Sequence, residues 1–227
     1  MAPSAIFFDL DNCLAAADEP GQELLEPVFA AVRSANHGSL SDRALDAALY
    51  DCWFHAFDWV ARRHGFTDPM RDAGWEAFRQ IEVRRPMRGY GDLDTLPSLG
   101  DDRFLVTSGF RRLQESKVRA LGIAPLFREV IIDAVDDASR TGKEGIFSNL
   151  MARYGLRRED VLVVGDNVES ELAAARRLGL ARVQTLRAGV VPASDVRLRV
   201  RNLGELRAVL ERWTSGSDGL QIGRAHV

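Results

Sequence analysis

Asp9 and Asp11 are the first residues in this chain whose types and spacing suit chemistry. They follow a four-residue apolar run, Ala5-Ile6-Phe7-Phe8. Alternate residues on extended backbone point the same way, so the two carboxylates share one side. Such a pair can act as a nucleophile beside an acid/base. One carboxylate attacks phosphorus, and the other protonates the leaving oxygen and then activates water. The same Asp-Leu-Asp also suits a plain strand-to-turn transition with a helix N-cap. Three further groups of residues bear on this choice.

Gly165-Asp166-Asn167, followed by Glu169 and Glu171, lies after the apolar run Val161–Val164. Asp166 could join Asp9 in holding a hard cation such as Mg²⁺, which prefers oxygen ligands. Glu171, about one turn into the next helix, could support that site. Acids also favour a first helical turn for its dipole alone, and Glu169 is read that way. Thr107-Ser108-Gly109 ends another apolar run, Phe104-Leu105-Val106. Hydroxyls and backbone N–H groups there would cradle a phosphate, or simply cap a helix. Lys143 stands at an expected helix start, against the dipole preference. Neutralising an attacking carboxylate and a phosphate would account for it.

These residues need a scaffold that gathers strand ends. Apolar runs at Ala5–Phe8, Phe104–Val106, Val130–Ile132, Val161–Val164 and Ala181–Leu186 read as buried strands. Helical spacing fills about Arg111–Leu121, Lys143–Tyr154, Val168–Leu178 and Leu203–Trp213, with glycines 122, 155 and 179 as stops. This alternation predicts an α/β fold, a Rossmann-like parallel sheet covered by helices on both faces. Ligands in such sheets bind beyond the carboxyl ends of the strands, where Asp9, Asp11, Thr107, Ser108 and Asp166 all fall. Between the first strand and the rest, apolar residues recur at helical spacing, as in Leu24, Leu25, Val28, Phe29 and Val32 and again in Leu45, Leu49, Trp53, Phe57 and Val60. The expected organisation is a core of residues 1–16 and 90–213, an inserted helical subdomain of 17–89, and a disordered tail of 214–227. The ending Ile222–Val227 reads like a translated sequencing adapter.

In this order the motifs resemble those of the haloacid dehalogenase (HAD) superfamily. Phe7–Leu14 resembles the family's first motif, Thr107-Ser108 the second, Lys143 the third, and Gly165-Asp166 with Glu171 the fourth. The resemblance implies that Asp9 is a nucleophile and metal ligand, and that Asp11 is the acid/base with a metal-binding backbone carbonyl. It further implies that Thr107 and Ser108 bind phosphate, that Lys143 steadies Asp9 and the phosphate, and that Asp166 and Glu171 complete a Mg²⁺ site. The insertion resembles the family's small α-helical cap. Asp11 favours the phosphatase branch, because dehalogenases and phosphonatases of the superfamily lack it. Phosphonatases also use a cap lysine, and residues 17–89 contain no lysine. Asp11-Asn12-Cys13 is locally similar to pyrimidine 5′-nucleotidase-like members. Cys13 stands where Thr or Val is usual, Glu144 where many members carry Pro, and Glu171 where Asp is usual.

The implied substrate is a small phosphomonoester, such as a sugar phosphate or nucleoside monophosphate. Substrate choice would fall to the insertion, with Tyr50, Trp53, His55, Trp59, Arg62, Arg63, His64, Arg84, Arg85 and Arg88 as candidates. At helical spacing the aromatics also suit core packing. A net charge of −3 offers no concentrated cationic face for a nucleic-acid polymer. No apolar run is long enough to span a bilayer, and Ala5–Phe8 is too short for a signal core, so a cytoplasmic protein is expected. Two cysteines make no disulfide framework.

Overall fold

The computed structural model describes residues 3–215. Six parallel strands form one sheet in the order β3-β2-β1-β4-β5-β6. They are β1 (Ala5–Phe8), β2 (Asp102–Gly109), β3 (Glu129–Ala134), β4 (Val161–Gly165), β5 (Ala181–Thr185) and β6 (Leu198–Val200). The central strand β1 is buried throughout, which explains its unbroken apolar sequence. Ile6 and Phe8 pack to one face with Leu105, Leu162 and Val164. Ala5 and Phe7 pack to the other with Phe104, Val161 and Val163.

Both faces are covered by helices. On the first lie α5 (Arg111–Leu121), through Val118, and α8 (Leu203–Ser215), through Leu206. On the second lie α6 (Gly142–Tyr154), through Phe147 and Leu150, and α7 (Glu171–Leu178), through Ala174 and Ala175. The rings of Phe7 and Phe104 meet edge to face with centroids 5.4 Å apart. Truncating a buried ring of this kind to Ala costs about 3–5 kcal/mol, so this layer fixes where β1 ends.

Between β1 and β2 come four helices, α1 (Glu26–Ala35), α2 (Asp42–Asp51), α3 (Phe57–His64) and α4 (Asp68–Gln80). Val28, Val32, Leu45, Leu49, Phe57, Met70 and Phe78 form their shared apolar centre, which continues onto Phe110, Leu113 and Val135. Helices α1 and α4 approach closely at Gly74, where a Cβ would lie 2.2 Å from the Phe57 ring and 2.8 Å from Val32. Two connecting segments run alongside each other below these helices. Glu19 accepts hydrogen bonds from the backbone N–H groups of Arg88 and Gly89, and Tyr90 N–H donates to the Leu14 carbonyl at 3.1 Å.

Four local differences from the sequence reading stand out, and the first three have physical causes. The periodic run Leu45–Val60 is broken into α2 and α3. At the break, the N–H groups of Cys52 to His55 turn back onto the carbonyls of Leu49, Tyr50 and Asp51, so no proline or glycine marks it. Helix α7 starts at Glu171 rather than Val168, because the Asn167 side chain accepts from Glu169 N–H and holds a turn there. The edge strand β6 is too short to show as a period-2 pattern. Helix α8 runs two residues beyond its expected end at Trp213. The expected tail, including the adapter-like ending, lies from residue 216 on outside the described residues. Among the described residues no helix is long and apolar enough to cross a membrane.

Candidate active site

The expected catalytic, phosphate-binding and metal-site residues gather around one cavity at the carboxyl edge of the sheet. Asp9 follows β1, its N–H bonded to the Val164 carbonyl at 2.9 Å. The chain then turns sharply, with Asn12 at φ 54 and its side-chain oxygen accepting from Ala17 N–H at 3.1 Å. Asn tolerates this left-handed geometry better than most residues. Cys13 is fully buried in the apolar layer, and burial pushes its thiol pKa up, as suits a packing role. Thr107 and Ser108 fall inside β2 rather than after it. Asp166 follows β4, and its carbonyl accepts from the Gln184 amide at 3.1 Å.

Lys143 joins the two ends of the site. From the start of α6 its ammonium donates to Asp9 Oδ1 at 2.6 Å and to Glu171 Oε2 at 2.8 Å. Burial alone would lower the lysine pKa. The carboxylates of Asp9 and Glu171 outweigh that and hold it above its ordinary value. Glu171 is 1% exposed, and its other oxygen, Oε1, accepts from Asn167 N–H at 2.6 Å. Glu171 therefore sits with both oxygens engaged. Gly165 makes room for it, since a Cβ there would lie 2.3 Å from Oε1.

Asp9, Asp166 and Glu171 each bring one oxygen within 4.8 Å of the others. Burial pushes Asp9 up to about 7, with Lys143 opposing and Glu171 adding. Burial, then Glu171 and Asp9, push Asp166 up to about 9. Three carboxyl groups thus share a single ammonium, and without a further cation Asp9 and Asp166 hold protons more tightly than free carboxyl groups do. An all-oxygen set short of positive charge matches what Mg²⁺ requires.

A cavity of about 290 Å³ opens onto Asp9, Asp11, Thr107, Lys143 and Asp166. Its opposite wall comes from the break between α2 and α3, with Trp53, Phe54 and His55, and from Trp59 and Arg62 of α3. His55 stacks on Trp59 with ring centroids 4.1 Å apart. Of the candidates in the insertion, Trp53, His55, Trp59 and Arg62 reach this cavity, while Tyr50, Arg63, His64, Arg84, Arg85 and Arg88 do not line it. His64 instead pairs with Asp51 at 2.8 Å, and Arg84 with Glu82 at 2.9 Å.

Ser108 lines the cavity, but its hydroxyl donates to Asp133 at 2.8 Å. Asp133 in turn accepts two bonds from Arg140, at 2.9 Å each, and Arg140 comes within 3.8 Å of Asp58 on α3. Sequence reasoning missed Arg140, Gln114 and Lys117. Arg140 lies in a loop with no pattern to mark it. Gln114 and Lys117 did leave a signal, as polar residues three apart between Leu113 and Val118 on the buried side of α5.

The model of the haloacid dehalogenase-like hydrolases matches residues 3–179, and the chain belongs to that family. The family model and the relatives that match it make this chain a hydrolase of the phosphatase type. A glyceraldehyde 3-phosphate phosphatase of Methanopyrus kandleri is 27% identical over 81% of this chain and 84% of its own length. A ribulose-1,5-bisphosphate 5-phosphatase of Halopiger xanaduensis is 26% identical over 79% and 83%. A glyceraldehyde 3-phosphate phosphatase of Methanocaldococcus jannaschii is 30% identical, but the match spans only 40% of each chain. Among solved structures, a HAD phosphatase from Thermococcus onnurineus superposes with a TM-score of 0.60 at 22% identity, over 91% of this chain and 97% of that one.

Proposed function

We propose that this chain is a Mg²⁺-dependent phosphohydrolase that cleaves small phosphomonoesters, sugar phosphates foremost, through phosphorylated Asp9. The observation that carries the reading is the buried Asp9 carboxylate, held 2.6 Å from Lys143 and facing the same cavity as Asp11. The named relatives act on phosphorylated three- and five-carbon sugars, and a cavity of about 290 Å³ has room for a molecule of that size.

In the first half-reaction an Asp9 oxygen forms a bond to phosphorus. The ester P–O bond breaks, its electron pair stays on the leaving oxygen, and Asp11 delivers a proton there. In the second, water attacks phosphorus and gives its proton to Asp11, and the Asp9–phosphorus bond breaks. This divides a hard hydrolysis into two easier steps. Thr107 and Lys143 hold the phosphoryl oxygens, and Lys143 fixes the direction of Asp9. Asp9, the backbone carbonyl of Asp11 and Asp166 would hold Mg²⁺, supported by Glu171. When bound, the ion supplies the positive charge that lets a phosphate dianion approach these carboxylates. Residues 17–89 act as a cap, with α3 and the break before it closing over the substrate to exclude bulk water.

Phosphate release is measured from a panel of sugar phosphates and nucleoside monophosphates, with and without Mg²⁺. The expected result is Mg²⁺-dependent release, fastest with sugar phosphates of three to five carbons and lost in folded Asp9→Asn. Undiminished release by Asp9→Asn would remove the nucleophile assignment. No release from any ester would remove the reading.

A further inference from the structure

Helix α5 buries two polar side chains beneath the site. Gln114 and Lys117 are 3% and 4% exposed and lie three residues apart, on one helix face. The Lys117 ammonium donates to Asp11 Oδ1 at 2.6 Å, and the Gln114 amide donates to Asp11 Oδ2 at 2.9 Å. That amide also donates to the Ser108 carbonyl at 3.0 Å, tying Asp11 to the strand that carries Thr107. The Gln114 carbonyl oxygen is buried without a hydrogen-bond partner. The side chain is therefore turned so that its N–H groups serve Asp11 and Ser108. Gly109 leaves it space, because a Cβ there would lie 2.6 Å from the Gln114 nitrogen.

Neither residue belongs to the motifs that mark the family in this chain. Both line the cavity, and a buried ammonium is costly to retain unless it is paired. We propose that Lys117 and Gln114 are positioning residues that fix both oxygens of Asp11. Two donors in two directions stop the carboxyl from rotating. One lone pair on each oxygen remains to exchange a proton with the leaving oxygen or with water. The inference rests on the reading of Asp11 as the acid/base and goes beyond it, by naming what aims that group.

Aiming an acid differs from binding a phosphate in one measurable way. Proton delivery matters most when the leaving oxygen is strongly basic. Glycerol phosphate leaves as an alkoxide and needs the proton, whereas p-nitrophenyl phosphate leaves as a stable phenolate. Steady-state kinetics on both esters are compared for wild type, Lys117→Met, Gln114→Met, Asp11→Asn and Asp11→Asn/Lys117→Met, each checked for folding by circular dichroism. Lys117→Met is expected to lower kcat on glycerol phosphate about 10–100-fold, part of the range a general acid supplies. The loss on p-nitrophenyl phosphate is expected to stay below about 5-fold, with KM little changed on either ester. In the Asp11→Asn background, Lys117→Met should cost less than about 2-fold more, because its effect passes through Asp11.

Equal losses on both esters with a raised KM would overturn the proposal and make Lys117 a phosphate contact. So would a full additional loss in the Asp11→Asn background, or no loss at all. If Lys117→Met does not fold, Gln114→Met carries the same comparison. Wild-type protein that cleaves neither ester would remove the phosphatase reading itself, an outcome separate from these.

Discussion

Asp166→Asn should stabilise the metal-free protein, and increasingly so as pH rises. Asp166 is pushed up to about 9 by burial and by the neighbouring Glu171 and Asp9 carboxylates, from an ordinary value of 3.8. Between those values the folded state binds a proton that the unfolded state has lost. Stability must therefore fall as pH rises across that window, by up to about 1.4 kcal/mol per pH unit for one such carboxyl. From pH 6 to pH 8 the limit is about 2.7 kcal/mol, and solvent entering the cavity screens part of it, leaving about 1–2 kcal/mol. In a chain of this size, that corresponds to a Tm about 3–6 °C lower at pH 8. Asn carries no such charge. Thermal unfolding in EDTA at pH 6, 7 and 8 should show the Asp166→Asn Tm pulling ahead of wild type, and Mg²⁺ should raise the wild-type Tm far more than the variant's. A constant difference across pH, or wild type more stable at pH 8 without metal, would refute the electrostatic reasoning.

Other consequences concern the same neighbourhood. Mg²⁺ affinity measured by calorimetry should rise by at least about tenfold from pH 6 to pH 8, because Asp9 and Asp166 must shed protons to bind it. Gly165→Ala would drive a methyl group against Glu171 and loosen Lys143, so kcat should fall about tenfold or more, from loss of orientation, with far-UV circular dichroism unchanged. Glu19→Ala removes the acceptor for two backbone N–H groups of the returning segment and should lower stability by about 1–2 kcal/mol, read from urea unfolding. Trp59→Ala unstacks His55 on the cavity wall and should raise KM more than it lowers kcat, because Trp59 lines the cavity on the wall away from Asp9 and would meet the substrate away from the reacting atoms.

Much of the architecture was legible because parallel strands buried on both faces must be apolar without interruption. Ala5–Phe8 and Val161–Val164 could hardly be read otherwise, and the charged residues beyond them had to meet at one edge. The order of Asp9, Thr107, Lys143 and Asp166 along the chain identified what meets there. The break at Cys52–His55 was hidden because its backbone groups close on one another and its aromatics keep helical spacing. Yet that break supplies the wall of the cavity facing Asp9. Of the arginines named as candidates in the insertion, Arg62 lines the cavity and Arg63, Arg84, Arg85 and Arg88 do not, while Arg140, which also lines it, lies in a loop without a pattern to mark it. Lys117 and Gln114 lay outside any short motif. Their function depends on α5 passing beneath the loop after β1, a contact spanning more than a hundred residues of chain.

Trapping the phosphorylated enzyme tests the central claim most directly. Protein turning over a small sugar phosphate with Mg²⁺ is quenched with borohydride, which reduces an acyl phosphate to an alcohol, and the peptide holding residues 5–12 is read by mass spectrometry. The mechanism predicts homoserine at position 9 and at no other aspartate. Steady phosphate release with an unmodified Asp9, or reduction at a different carboxylate, would contradict it.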